Sequence, residues 1–126
     1  MSATRLQKIG RLIKEELSLI IRREMNDPRL GFFSITDVVV PADLRSAHVY
    51  ISVYGSEKEQ GDTMTALESA RRFLRGELGK KIDLRHTPEL FFHLDRSIER
   101  GARVFELLKQ VEPPAEEEKK EDNGQS

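Results

Sequence analysis

Residues 46–54, Ser-Ala-His-Val-Tyr-Ile-Ser-Val-Tyr, alternate with a period of two. Ala47, Val49, Ile51 and Val53 share one face; His48, Tyr50, Ser52 and Tyr54 share the other. A segment patterned this way is a strand with one apolar side and one polar-aromatic side. It makes an antiparallel sheet, covered on one side only, the expected frame of the fold. Residues 32–40 supply a second run rich in β-branched and aromatic residues, and Pro41-Ala42-Asp43-Leu44 makes the turn between the two. A short third strand is expected over 89–94, after Thr87-Pro88.

Amphipathic helices supply the cover. Leu6, Ile9, Ile13, Leu17, Ile20 and Met25 recur at helical spacing, with Leu12 and Leu19 widening the stripe. Arg5, Lys8, Arg11, Lys14, Arg22 and Arg23 occupy the opposite face. The spacing predicts a helix over 4–25 that stops at Asn26-Asp27-Pro28, because a residue before proline is pushed out of the helical region. Gly31 then allows a turn. A second helical pattern runs from Ser56, spaced from Glu59 as a capping box, to about Gly79. Met64, Leu67, Ala70, Leu74 and Leu78 face inward, and Gly61-Asp62 interrupts its start. A last helix is expected over 97–111, with Ile98, Val104, Phe105, Leu107 and Leu108 apolar and Asp95 with Ser97 placed as its cap. The order is α-β-β-α-β-α, an α+β domain over residues 1–111. Pro113-Pro114 stops any helix, and the acidic tail 112–126 cannot bury a core and is expected to be disordered.

The chain has no cysteine, so a disulfide framework, a thiolate nucleophile and a cysteine-ligated metal are excluded. No run approaches the roughly 18 apolar residues of a membrane span. The residues Met1-Ser2-Ala3-Thr4-Arg5 lead into an amphipathic stretch and not an apolar signal block, so a cytoplasmic protein is expected. There is no His-Glu-x-x-His, Gly-x-Ser-x-Gly or glycine-rich phosphate loop. His48 and His93, both on expected strands, could meet across the sheet as an acid-base or metal pair. No third ligand accompanies them, and two surface histidines on an open sheet face is the preferred reading. Asp37 and Asp95 mark a strand edge and a helix start rather than a catalytic carboxylate pair. Tyr50 and Tyr54 fit either base stacking or cross-strand packing with Phe91. No metal and no cofactor is expected, and a chain of 126 residues leaves no interior for a large cofactor pocket.

The formal net charge of -1 hides a split. Residues 112–126 hold six acids and two lysines, a net -4, which leaves the body at +3. The densest feature is 71–86, where Arg71, Arg72, Arg75, Lys80, Lys81 and Arg85 face only Glu77 and Asp83. Cations this close on one helix repel, and a stabilising surface would interleave them with acids. A polyanion relieves the repulsion and releases counterions, which points to nucleic acid. His86, beside Arg85, is a loop residue or a phosphate contact.

These residues resemble the bacterial ribosome-binding factor A family of small-subunit assembly factors. The matching segments are Asp27-Pro28-Arg29-Leu30-Gly31, Ile35-Thr36-Asp37-Val38, and 43–53 through the turn into the second strand. Further matches are 66–75, Pro88-Glu89-Leu90-Phe91-Phe92 and Asp95-Arg96-Ser97-Ile98-Glu99-Arg100-Gly101. Their order and spacing over about residues 5–105 carry the likeness, not any single motif. The resemblance implies a KH-like (type II) domain of α-β-β-α-α-β order with a three-stranded sheet, followed by a C-terminal helix. It also implies a kink between two helices at Ala70-Arg71-Arg72, where the family commonly has Ala-x-Gly. Arg72 stands in the glycine position, which removes backbone freedom and adds a phosphate-seeking charge.

The implied activity is binding to free or immature small ribosomal subunits, support of late maturation and rRNA processing, and importance in the cold, without catalysis. Arg71, Arg72, Arg75, Lys80, Lys81 and Arg85 would grip RNA phosphates, with Arg45, Arg5, Lys8 and Arg11 extending the contact. The small subunit and its rRNA are the implied partners, an assembly GTPase is a further candidate, and the chain is expected to be a monomer. The acidic tail is expected to limit off-target RNA binding by competing for the basic face. The alternative is a protein-protein adaptor that uses the open sheet face and the acidic tail. Its binding would survive loss of the basic cluster and depend weakly on salt.

Overall fold

The structure, a computed structural model, describes residues 2–96. The expected helix over 97–111 and the tail 112–126 lie outside the described residues. Helix α1 spans Ala3–Glu24 and is capped by Ser2, whose hydroxyl accepts from the Arg5 N–H. It buries Ile9, Gly10, Ile13, Leu17, Ile20 and Ile21 against the sheet, while Leu12 faces solvent and does not widen the stripe. Met25 turns extended, and the chain leaves through Asn26-Asp27-Pro28. There the Arg29 backbone and guanidinium donate to the Asp27 carboxylate, which holds its pKa down at about 2. Gly31 serves contact more than turning: its N–H donates to the buried Thr63 hydroxyl, and a Cβ there would lie 3.1 Å from that oxygen.

Strands β1 (Phe32–Val39) and β2 (Ser46–Tyr54) pair antiparallel, with a bulge between Ile35 and Asp37. In the turn that joins them Leu44 adopts φ +60 and donates its N–H to the Pro41 carbonyl. Helix α2 (Glu57–Ser69) starts on a reciprocal capping box between Ser56 and Glu59 and runs through Gly61-Asp62 without interruption. The Ser56 N–H bonded to its carboxylate lowers the Glu59 pKa. Helix α3 spans Arg71–Lys81, and strand β3 (Glu89–Leu94) closes the described chain.

Two further sequence expectations, on helix continuity and strand direction, need correction. The helical pattern from Ser56 to Gly79 is two helices, broken at Ala70, as the KH-like resemblance implied. Ala70 has φ -95 and ψ 6, a conformation open to any L-residue. Its N–H reaches the carbonyls of Ala66 and Leu67. The break therefore needs no glycine, and Arg72 is compatible with it. The sheet, in the order β1-β2-β3, is also not all antiparallel. Strand β3 runs parallel to β2, since two helices intervene and carry the chain back to the same end.

Ala47, Val49, Ile51 and Val53 of β2, with Leu90 and Phe92 of β3, face the helices and meet Ile13, Leu17, Leu67, Leu74 and Leu78 in one core. Among the described residues no element covers the opposite face. There His48 and His93, two histidines on the open sheet face as expected, also meet across it, Nδ1 to Nε2 at 2.9 Å. Phe91, His48, His93 and Tyr50 stack in series, with successive centroids 5.4, 5.1 and 5.0 Å apart. Tyr54 packs on Phe32 instead. Among the described residues no cluster of three or more ligating side chains could hold a metal ion with the pair. The helix that Asp95 is expected to cap lies outside the described residues. Asp95 accepts from the Thr36 hydroxyl at 2.8 Å and ties the end of β3 to the bulge in β1.

Candidate nucleic-acid interface

The break at Ala70 aims the first turn of α3 at the edge of β3. Arg71, Arg72 and Arg75 follow within that turn and the next, and the return segment 82–88 brings Arg85, His86 and Thr87 opposite them. Glycine lets the two walls approach. A Cβ at Gly79 would lie 2.6 Å from the Thr87 hydroxyl oxygen. The result is a groove of about 560 Å³ lined by Arg71, Arg72, Arg75, Arg85, His86 and Glu89, among others. A second groove, of about 590 Å³, adjoins it through Arg75, Arg85, His86 and Thr87 and adds Arg45 and Asp43. Arg45 is held there because its carbonyl accepts from the Glu89 N–H and its own N–H donates to Asp43.

The cations divide by what already occupies them. Arg75 donates from Nη2 to the Thr87 carbonyl at 2.7 Å and from Nε to the Thr87 and Pro88 carbonyls. Arg71 donates to the Leu90 carbonyl, and its guanidinium lies 5.7 Å from the centre of the Phe91 ring. These two side chains fasten α3 to the edge of β3, where the strand leaves carbonyls unpaired. Among the described residues no carboxylate pairs with Arg72, Arg85 or Arg45. They line the grooves without an ion pair, although Glu89 lines the first groove and Asp43 the second.

The remaining expected contacts fall elsewhere. Lys80 pairs with Glu77 at 3.0 Å, and Lys81 is exposed; neither lines a groove. Arg5, Lys8 and Arg11 are exposed on α1 and line neither groove. The sequence reading missed Glu89, Thr87, Gly76 and Gly79 as lining residues. Thr87, Gly76 and Gly79 carry no charge to count, and Glu89 lies beyond the 71–86 cluster. The Arg75 contacts carry a test on stability. Arg75→Met should destabilise the domain by about 1 kcal/mol by leaving the Thr87 and Pro88 carbonyls without their donor. Arg72→Met should change stability little. Urea unfolding of the two variants distinguishes an anchoring arginine from a free one.

The family model described as ribosome-binding factor A matches residues 5–108. A ribosome-binding factor A of Halothermothrix orenii is 47% identical over 121 residues, 96% of this chain and 99% of that one. A solution NMR structure of a Thermotoga maritima chain superposes with a TM-score of 0.68 at 31% identity, covering 79% of this chain and 94% of that one. A homology model of the Thermus thermophilus ribosome binding factor A, as fitted into a cryo-EM map of its complex with the 30S subunit, superposes with a TM-score of 0.58 at 26% identity. It covers 69% of this chain and 91% of that one. With the α-β-β-α-α-β order in place and the match running nearly end to end, this chain belongs to the ribosome-binding factor A family.

Proposed function

We propose that this chain binds immature small ribosomal subunits through ribosomal RNA and promotes their late maturation and rRNA processing. It acts by binding, as a monomer in the cytoplasm, without a cofactor. The observation that carries this reading is the pair of adjoining grooves that Arg45, Arg72 and Arg85 line without an ion pair among the described residues. The 30S complex of the Thermus relative supports the choice of particle. Phosphate contacts of this kind fix position and register, while RNA shape selects the site.

Co-sedimentation with mature and precursor small subunits across a salt series tests the reading. Retention on the precursor that falls steeply with salt is the expected result. Absence from both particles would remove it and favour the adaptor. The acidic tail adds a second expectation. Residues 112–126 carry a net -4, and deleting them should raise affinity for RNA of unrelated sequence. Unchanged affinity in a filter-binding assay would exclude competition between the tail and RNA.

A further inference from the structure

Glu89 is out of place in a wall built for phosphate. It lines the same groove as Arg71, Arg72, Arg75 and Arg85, at the first position of β3. Its side chain is exposed, and among the described residues no cation pairs with it. Its backbone is fixed by the N–H donated to the Arg45 carbonyl at 2.9 Å. The start of β3 is thus fixed beside the groove, and the carboxylate that it carries has no ion-pair partner among the described residues. Toward a ligand recognised only by its phosphates, such a group is repulsive and lowers affinity. It becomes favourable when the ligand also offers hydrogen-bond donors.

A carboxylate has two acceptor oxygens and no donor. Its bidentate complement is a pair of adjacent N–H donors. Of the four RNA bases only guanine presents such a pair on its Watson–Crick edge, N1–H beside N2–H. Adenine and cytosine set an amino donor beside a ring acceptor, and uracil flanks one donor with two carbonyls. That edge is free only in an unpaired nucleotide.

We propose that this groove takes an unpaired guanine nucleotide, with the Glu89 carboxylate accepting from the N1–H and N2–H of the base while Arg72 and Arg85 hold the flanking phosphates. The inference rests on the RNA-binding reading above and adds a base preference to it. The same groove then has two separable parts: arginines that bind any RNA strand, and one acid that selects the base.

Fluorescence anisotropy with the full chain tests it, using short oligouridines that carry one central guanosine, adenosine or uridine. The wild type should bind the guanosine strand about tenfold more tightly than the all-uridine strand. Glu89→Gln should abolish that preference and leave all-uridine binding equal or tighter, because a repelling charge is gone. Arg72→Ser should weaken all three strands alike and keep their ratio. Circular dichroism and urea unfolding verify that the variants stay folded. Equal wild-type affinity for the three strands, or a guanosine preference untouched by Glu89→Gln, would overturn the Glu89 role while salt-dependent binding upholds the RNA-binding reading. Binding to none of the strands, together with loss of co-sedimentation, would overturn both.

Discussion

Replacing Gly10 with alanine is expected to destabilise this domain by about 2 kcal/mol, against the direction that helix propensity alone dictates. Gly10 lies on the buried face of α1, and a Cβ there would sit 2.6 Å from the carbonyl oxygen of Val38. That atom belongs to the backbone of β1 in the core and cannot step aside as a flexible side chain would. The helix must lift from the sheet, loosening the packing of Ile9, Ile13 and Leu17 along with it. The alanine gains about 1 kcal/mol of propensity, which the lost packing outweighs. In a domain of this size the net change lowers Tm by about 10 °C. Gly61 is the control. It is also helical, but a Cβ there meets nothing within 4 Å, so Gly61→Ala should raise stability by about 0.5–1 kcal/mol. Thermal unfolding of the two variants should shift in opposite directions; equal shifts would show that α1 does not seat on β1 through Gly10.

The second large effect falls on binding. Arg72→Glu/Arg85→Glu should lower affinity for RNA by on the order of a hundredfold at 0.1 M salt. Each phosphate contact removed takes about 0.7–0.9 from the slope of log affinity against log salt, and reversal adds repulsion. The pair is chosen because neither side chain forms an ion pair or anchoring hydrogen bond among the described residues. Reversing Arg71 or Arg75 would also strip donors from the Thr87, Pro88 and Leu90 carbonyls, and lost binding would then be confounded with lost packing. Circular dichroism should therefore be unchanged in the double variant while precursor subunits no longer retain it. Retention equal to the wild type would move the interface to α1 or to the open sheet face.

Which arginines are free could not be read from the chain. Arg71, Arg72 and Arg75 look alike in sequence, and only the placement of β3 beside α3 separates two anchors from one free charge. The period of two in β2 and the apolar stripe of α1 were legible because each follows from one element folding against one surface. The direction of β3 was not, because parallel pairing is decided by the length of the helical crossover and not by any residue within 89–94. The break at Ala70 was equally hidden, since apolar residues at 67, 70, 74 and 78 keep helical spacing across it. The close contacts of glycines 10, 31 and 79 were hidden as well, because each is made to a residue of another segment. The family resemblance supplied the two-helix break.

The parallel pairing of β2 with β3 also orders events in time. The β1-β2 hairpin joins neighbours in the chain, whereas Ser46 must find Glu89 across the whole helical crossover. Closing that loop is the late, entropically costly step of folding. Both grooves have a wall made from the segment that this step delivers, residues 85–87. Arginine side chains on a half-folded chain are therefore scattered and not convergent, and the RNA grip proposed above would arise only when β3 docks. On that proposal, a ribosome in the act of making this protein would meet a chain that has not yet acquired its grip.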